Sequence, residues 1–179
     1  MHIKRLMMVV TAAAIPLAAG LIWLQREPKP VVTFLLSEQD RPSIPDFAIG
    51  NPDGSSFSLK DYKGKVVIVN FWATWCKPCE VEIPWLMDFE KRYGNSGLAV
   101  LGIATNEEGW NIVSPYIKAR AVSYRVGLSS AWAPTELLGL PNVLPTTLLL
   151  DKTGRLAGWR QGLMTQDRFE VAINTLLNQ

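Results

Sequence analysis

Two cysteines, three positions apart, are the residues of this sequence best suited to covalent chemistry. They are Cys76 and Cys79, separated by Lys77 and Pro78, and the 179-residue chain has no others. A disulfide between them closes almost no loop, so it removes little chain entropy and contributes little to stability. Reactivity therefore explains the pair better than structural support. The competing interpretations are two inert buried thiols or a lone structural disulfide.

The composition of the chain argues against two classes of function, metal binding and nucleic-acid binding. A closed zinc site needs four ligands, and beyond the two cysteines the sequence offers one histidine, His2, in the N-terminal tail. The formal net charge is +2, and residues 1–36 contribute +3 of it, so the remainder carries −1. The sequence thus disfavours a metal site and predicts no nucleic-acid partner.

The elements around the pair predict where its thiols lie. The β-branched run Val66–Phe71 is typical of a buried strand, and Cys76–Arg92 has a helical pattern. The pair therefore opens a helix, where free N–H groups and the helix dipole stabilise a thiolate at Cys76. Cys79 lies one turn further on the same face. Cys76 can then attack a disulfide, and Cys79 can resolve the mixed disulfide that forms.

The rest of the chain predicts an α/β domain with a central mixed sheet flanked by helices on both faces. A small hairpin is expected first, then further strands and helices. The predicted segments are Phe47–Ile49, Ser56–Leu59, strand Leu98–Ala104, helix Trp110–Arg120, the hairpin Thr146–Leu150 and Leu156–Gln161, and helix Thr165–Leu177 with Thr165 as N-cap.

The N-terminus predicts export. Lys4 and Arg5 precede the uncharged run Leu6–Leu24, whose length of about 28 Å as a helix is close to the thickness of a bilayer core. We expect residues 1–25 to be a single-pass anchor in the inner membrane, 26–42 a linker, and 43–179 a domain on the periplasmic side. A cleaved signal peptide is the alternative, because Ala18 and Gly20 offer small residues at a cleavage spacing.

Four segments resemble the TlpA/ResA-like branch of the thioredoxin superfamily, which includes membrane-tethered reductants of cytochrome c maturation. The resemblance covers roughly residues 43–177. It rests on Asn70–Cys79 (NFWATWCKPC), on Phe57–Lys65, and on Leu144–Thr147 followed by Leu150–Gly154.

The resemblance implies a thioredoxin-like fold with an N-terminal hairpin extension and a role for each of four residues. Cys76 is the exposed nucleophile, Cys79 the resolving thiol, and Pro145 a cis-proline opposite them. Glu82 corresponds to an acidic residue kept beside the pair, and a carboxylate there can raise thiol pKa values or carry a proton. The alternative is that Glu82 is a solvated acid at a helix start. Asn70 departs from thioredoxin, which has an aspartate there, so that proton route is absent.

The predicted function is reduction of disulfides in exported proteins, with apocytochrome c as a candidate substrate, by a Cys76–Cys79 dithiol cycle without a bound cofactor. By family analogy the electrons come from a membrane-embedded thiol carrier. Two rivals remain: a peroxiredoxin-like peroxidase and a non-enzymatic metal-delivery or binding module.

Overall fold

A computed structural model describes residues 34–129 and 138–179 of the chain. In chain order the strands are β1 (Ala48–Gly50), β2 (Ser56–Ser58), β3 (Val66–Trp72), β4 (Leu98–Ala104), β5 (Arg125–Leu128), β6 (Thr146–Leu150) and β7 (Leu156–Gln161). The helices are α1 (Lys77–Tyr93), α2 (Trp110–Ala119) and α3 (Gln166–Leu177), with short 3-10 turns at Glu38–Asp40, Leu59–Tyr62 and Gly94–Ser96.

The described strands form one mixed sheet in the order β2-β1-β5-β4-β3-β6-β7. Strands β3, β4 and β5 are parallel, and β6 is antiparallel to β3. Every residue of β3 and β4 is buried, as their apolar, β-branched sequences predict for strands covered on both faces. The carboxyl ends of the three parallel strands therefore share one edge, and the beginning of β6 meets the end of β3 there.

The three described helices pack on one face of the sheet. One apolar cluster joins alternate β3 residues such as Ile68 and Trp72 to Leu86 of α1, Val113 of α2 and Phe169 of α3. A second cluster on the opposite face contains strand residues and the buried Leu59. The sequence predicts helices on both faces of the sheet, but the three helices whose bounds are given above all lie on the first face.

The thioredoxin-like α/β class, the mixed sheet and the N-terminal hairpin are confirmed, with one strand that the sequence reading missed. Strand β5 lies between α2 and β6 and pairs in parallel with β4. It also joins the hairpin to the sheet, because Gly50 of β1 pairs with Leu128. Thr165 lies at the N-cap of α3 as predicted, but its side chain makes no capping hydrogen bond.

The described part of the predicted linker, residues 34–42, runs along the outer edge of β7. Leu36 N–H donates to Ala157 O at 2.7 Å, and Leu156 N–H donates to Pro42 O at 2.9 Å. These bonds satisfy backbone groups of β7 that an open sheet edge would leave unpaired.

Within residues 34–129 and 138–179, no helix is both long and apolar enough to cross a bilayer. The predicted anchor Leu6–Leu24 lies outside the described residues and stays a prediction.

Candidate active site

The chain leaves β3 at Trp72 and passes through residues 73–75, here called the reactive turn, before α1 begins. Cys76 follows the turn as the N-cap residue of α1, and Cys79 lies in the first helical turn. The two form a disulfide, with Cα atoms 5.3 Å apart. The predicted placement of the pair after a buried strand and at a helix start is confirmed.

The helix start surrounds Sγ of Cys76 with a positive potential. Cys79 N–H donates to Sγ of Cys76 at 3.3 Å, and the dipole of the 17-residue helix points its positive end at the same atom. In the reduced protein both effects stabilise a thiolate at Cys76. The resemblance implied an exposed Cys76, but in the disulfide form Cys76 is 3% and Cys79 1% exposed, so the two residues differ little in accessibility. Trp75 beside them is 62% exposed.

Pro145 lies at the same edge of the sheet. Phe71 of β3 pairs with Thr146 of β6, so Pro145 is level with Trp72, the residue just before the reactive turn. The Leu144–Pro145 peptide bond is cis, as the resemblance implied. The carbonyl of Pro145 accepts a hydrogen bond from Gly162 N–H at 2.8 Å, which ties this loop to the end of β7.

Glu82 lies on the buried face of α1 and is not a solvated acid at the surface of the helix. It is 1% exposed. Its Oε2 accepts from Nδ2 of Asn70 at 3.2 Å, and its Oε1 accepts from Met164 N–H at 3.4 Å. Burial raises the pKa of Glu82 to about 7 from its ordinary 4.5, although both hydrogen bonds favour the charged form. A carboxyl group with that pKa exchanges its proton near neutrality.

Glu80 belongs to a surface network on the other side of the helix start. Its two oxygens lie 3.0 Å from Nη2 of Arg120 and 3.5 Å from Nζ of Lys77. The Arg120 guanidinium also covers the ring of Tyr116 at 3.7 Å, and that ring packs against Trp72. The positive charge of Lys77, next to Cys76 in the chain, is thus partly offset by Glu80.

Sequence reasoning missed two residues that complete the site. Met164 supplies a backbone donor to Glu82 from the loop after β7. Asn106, just after β4, bonds to Thr74 of the reactive turn through both atoms of its amide. A backbone donor leaves no mark in the sequence, but a polar residue directly after a predicted parallel strand is a signal that could have identified Asn106.

Among the described residues, no three or more His, Cys, Asp or Glu side chains form a group that could hold a metal ion.

Known proteins place this site in a family. The model of the Redoxin family matches residues 39–174. The chain belongs to the redoxin family and is ResA-like. It is 34% identical over 139 residues to the thiol–disulfide oxidoreductase ResA of Geobacillus kaustophilus, covering 75% of this chain and 76% of that protein. ResA of Bacillus cereus is 32% identical over 128 residues, covering 70% and 72% of the two chains.

Solved structures agree with this redoxin assignment. A thiol:disulfide interchange protein from Chlorobium tepidum superposes with a TM-score of 0.68 at 30% identity, covering 79% of this chain and 99% of that one. A secreted thiol-disulfide isomerase from Corynebacterium glutamicum gives 0.72 at 26% identity, covering 87% and 95%. The redoxin described here is a thiol–disulfide oxidoreductase, as the relatives and the Cys76–Cys79 disulfide together establish.

Proposed function

We propose that this redoxin reduces disulfides of exported proteins, with Cys76 as nucleophile, Cys79 as resolving thiol and Glu82 as the group that takes the proton of Cys79. The proposal rests on one observation: the helix that begins at the Cys76–Cys79 disulfide also carries a buried carboxyl group, Glu82, whose pKa is about 7.

The first step is attack on the substrate. The Cys76 thiolate attacks one sulfur of a substrate disulfide, so that bond breaks, a mixed disulfide forms, and one substrate thiolate leaves and takes a proton from solvent. Stabilisation by the Cys79 N–H group and the helix dipole keeps a fraction of Cys76 ionised near neutral pH.

The second step is resolution. The Cys79 thiol gives its proton to Glu82, and the resulting thiolate attacks Sγ of Cys76. The mixed disulfide breaks and the second substrate thiolate leaves. Glu82 then releases its proton, and the departing thiolate takes up one proton, so that Glu82 returns to its charged form. Two electrons have moved from the dithiol to the substrate, and the protein is left in the disulfide form observed here.

Pro145 is proposed to face the bound substrate chain beside the reactive turn. This role is supported by the position of Pro145, one residue beyond the Phe71–Thr146 pair and at the edge of the sheet where Cys76 follows β3. Exposed Trp75, Val143 and Leu163 lie in the turn and in the loops that flank Pro145, and they offer apolar surface to a polypeptide.

The reducing direction and the electron donor are proposed from the likeness to the family, and the location is proposed from the N-terminal sequence. The apolar run Leu6–Leu24 after Lys4 and Arg5 supports an anchor with the domain in the periplasm. There a membrane thiol carrier would return two electrons to the Cys76–Cys79 disulfide, and apocytochrome c would be among the substrates. The alternative functions, peroxide reduction and metal delivery, predict peroxide consumption and copper binding by the reduced protein.

Trapping tests the proposal. Cys79→Ala removes the resolving thiol, so the mixed disulfide through Cys76 should accumulate in cells and be identified by mass spectrometry after thiol blocking. Cys76→Ala is the matched control and should trap nothing. Trapping by Cys76→Ala alone would reverse the assigned roles. Equal trapping by both variants would mean that the two cysteines have no distinct roles. Peroxide consumption by Cys79→Ala at the wild-type rate would favour the peroxidase.

A further inference from the structure

The side chain of Asn106 makes two hydrogen bonds to a single residue of the reactive turn. Thr74 N–H donates to Oδ1 of Asn106 at 3.0 Å, and Nδ2 of Asn106 donates to Oγ1 of Thr74 at 2.9 Å. Asn106 is buried. Because one planar amide serves both bonds, it cannot rotate without losing both. The contact therefore fixes Thr74 against the segment that follows β4.

Thr105, the residue before Asn106, holds the chain just before the turn. Thr105 donates to the carbonyl of Trp72 from its backbone N–H at 2.9 Å and from Oγ1 at 3.2 Å. Thr74 of the turn and Trp72 just before it are thus attached to two consecutive residues, Asn106 and Thr105. No other side chain described here donates to or accepts from Thr74 in the hydrogen bonds that the structure records.

The end of the turn determines where the nucleophile lies. Cys76 N–H donates to Ala73 O at 3.1 Å, so Cys76 is attached to the same turn. Its Sγ meets the N–H of Cys79 only while Cys76 occupies the N-cap position of α1. Displacement of Thr74, two residues earlier, would move Cys76 relative to the free N–H groups of the helix.

We propose that Asn106 is a positioning residue for disulfide exchange: by clamping Thr74 it keeps Sγ of Cys76 at the N-terminus of α1, oriented toward the substrate. This inference rests on the proposed function, because it concerns the orientation of the same nucleophile. Asn106 makes no recorded hydrogen bond to either cysteine and acts through the turn alone.

The experiment compares four variants in the full-length protein. Asn106→Ala removes both bonds, Thr74→Val removes only the hydroxyl, and Thr74→Ser keeps both bonding groups. Asn51→Ala is the matched control, since Asn51 also makes two side-chain hydrogen bonds, to Ser55 and Arg125, but follows β1, three strands away from β3. The measurements are the pH dependence of Cys76 alkylation in the reduced protein and kcat/KM for reduction of a disulfide-bonded peptide.

Asn106→Ala should raise the pKa of Cys76 by about half a unit to one unit, because Sγ loses part of its contact with the helix N-terminus. It should lower kcat/KM by about tenfold, the effect of a misplaced reacting atom. Thr74→Val should show smaller changes of the same sign, and Thr74→Ser and Asn51→Ala should match the wild type.

A wild-type alkylation profile together with kcat/KM within about twofold for Asn106→Ala would overturn the proposal, since a purely structural contact affects stability alone. If Asn106→Ala does not fold, the same two measurements on Thr74→Val test the proposal, and wild-type values for that variant would overturn it. Failure of the proposed function is distinguishable, because the wild-type protein itself would then reduce no peptide disulfide.

Discussion

At the scale of single residues, Glu82 carries the largest consequence of burial in this site. Its carboxyl group is 1% exposed, and its pKa of about 7 lies above the ordinary value of 4.5. The folded protein therefore holds a proton between these values that the unfolded chain has released. By linkage the free energy of unfolding must fall as pH rises through this window.

The stability of the wild type should therefore depend on pH in a way that a variant without this carboxyl group does not share. Between about pH 4 and pH 8.5, the oxidised wild type should lose about 3 kcal/mol of unfolding free energy that Glu82→Gln retains. Gln is the right replacement because, like the protonated acid, it is neutral and close in size. Urea unfolding of both proteins over a pH series measures the difference, and parallel curves would contradict the buried titration.

The activity prediction concerns the same proton. The rate of disulfide exchange by the wild type should show an inflection near pH 7, where Glu82 becomes able to accept the proton of Cys79. Glu82→Gln should lose that inflection and be slower near neutrality.

The control for both experiments should be Asp88→Asn. Asp88 is an acid on the same helix whose side chain is exposed and paired with Arg92, so its neutralisation should leave the pH profile unchanged. Glu80 is unsuitable as a control, because its removal would free Lys77 and Arg120 beside the active site. An inflection that survives in Glu82→Gln would assign it to another group.

At the scale of elements, the sequence predicted the features that depend on local pattern and missed those that depend on distant partners. Strands β3, β4, β6 and β7 and helix α1 are apolar or periodic and were placed to within a residue or so. Strand β5 has four residues, including a glycine, and exists through its pairing with β4. Likewise the family resemblance identified Glu82, but its hydrogen-bond partner Met164 lies 82 residues away.

The segment before β1 is attached to the sheet by a buried ion pair that no local pattern indicates. Nη1 of Arg41 lies 3.1 Å from Oδ2 of Asp151, with side chains 4% and 8% exposed. Burial by itself would raise the pKa of Asp151, but hydrogen bonds from Thr153, Arg155 and Arg41 outweigh it and lower the pKa. The pair therefore joins residues 34–42 to the turn between β6 and β7.

Arg41→Met should destabilise the protein by about 2–3 kcal/mol, because it leaves a buried carboxylate with less compensation. The expected cost is at the lower end for a broken buried pair, since Nη2 of Arg155 remains 3.7 Å from the same oxygen. Denaturant unfolding measures it. Lys60→Met is the control: Lys60 also pairs at 3.1 Å, with Asp46, but is 69% exposed, so its loss should cost less than about 1 kcal/mol. Equal costs would mean that burial does not strengthen the pair.

At the scale of the whole molecule, we expect the N-terminal run to determine where exchange takes place. The 19 residues Leu6–Leu24 carry no charge and would span about 28 Å as a helix. Apolar residues continue from Leu21 to Leu24, past the small residues at which a signal peptidase would cut. The anchor and the signal peptide therefore predict different masses of the mature protein and different membrane fractions.

We expect the full-length chain to sediment with membranes and to resist alkaline extraction, because no polar face interrupts the run. Replacing Ala18 and Gly20 together by Leu removes the small residues that cleavage requires and lengthens the uninterrupted apolar surface. If the run is an anchor, wild type and variant should have the same intact mass and the same membrane fraction. If it is a signal peptide, the wild type should be a soluble protein that begins near Leu21, and only the variant should stay in the membrane. The second outcome would contradict the anchor while leaving export in place, and the exchange chemistry at Cys76 would then act on soluble partners without a tether.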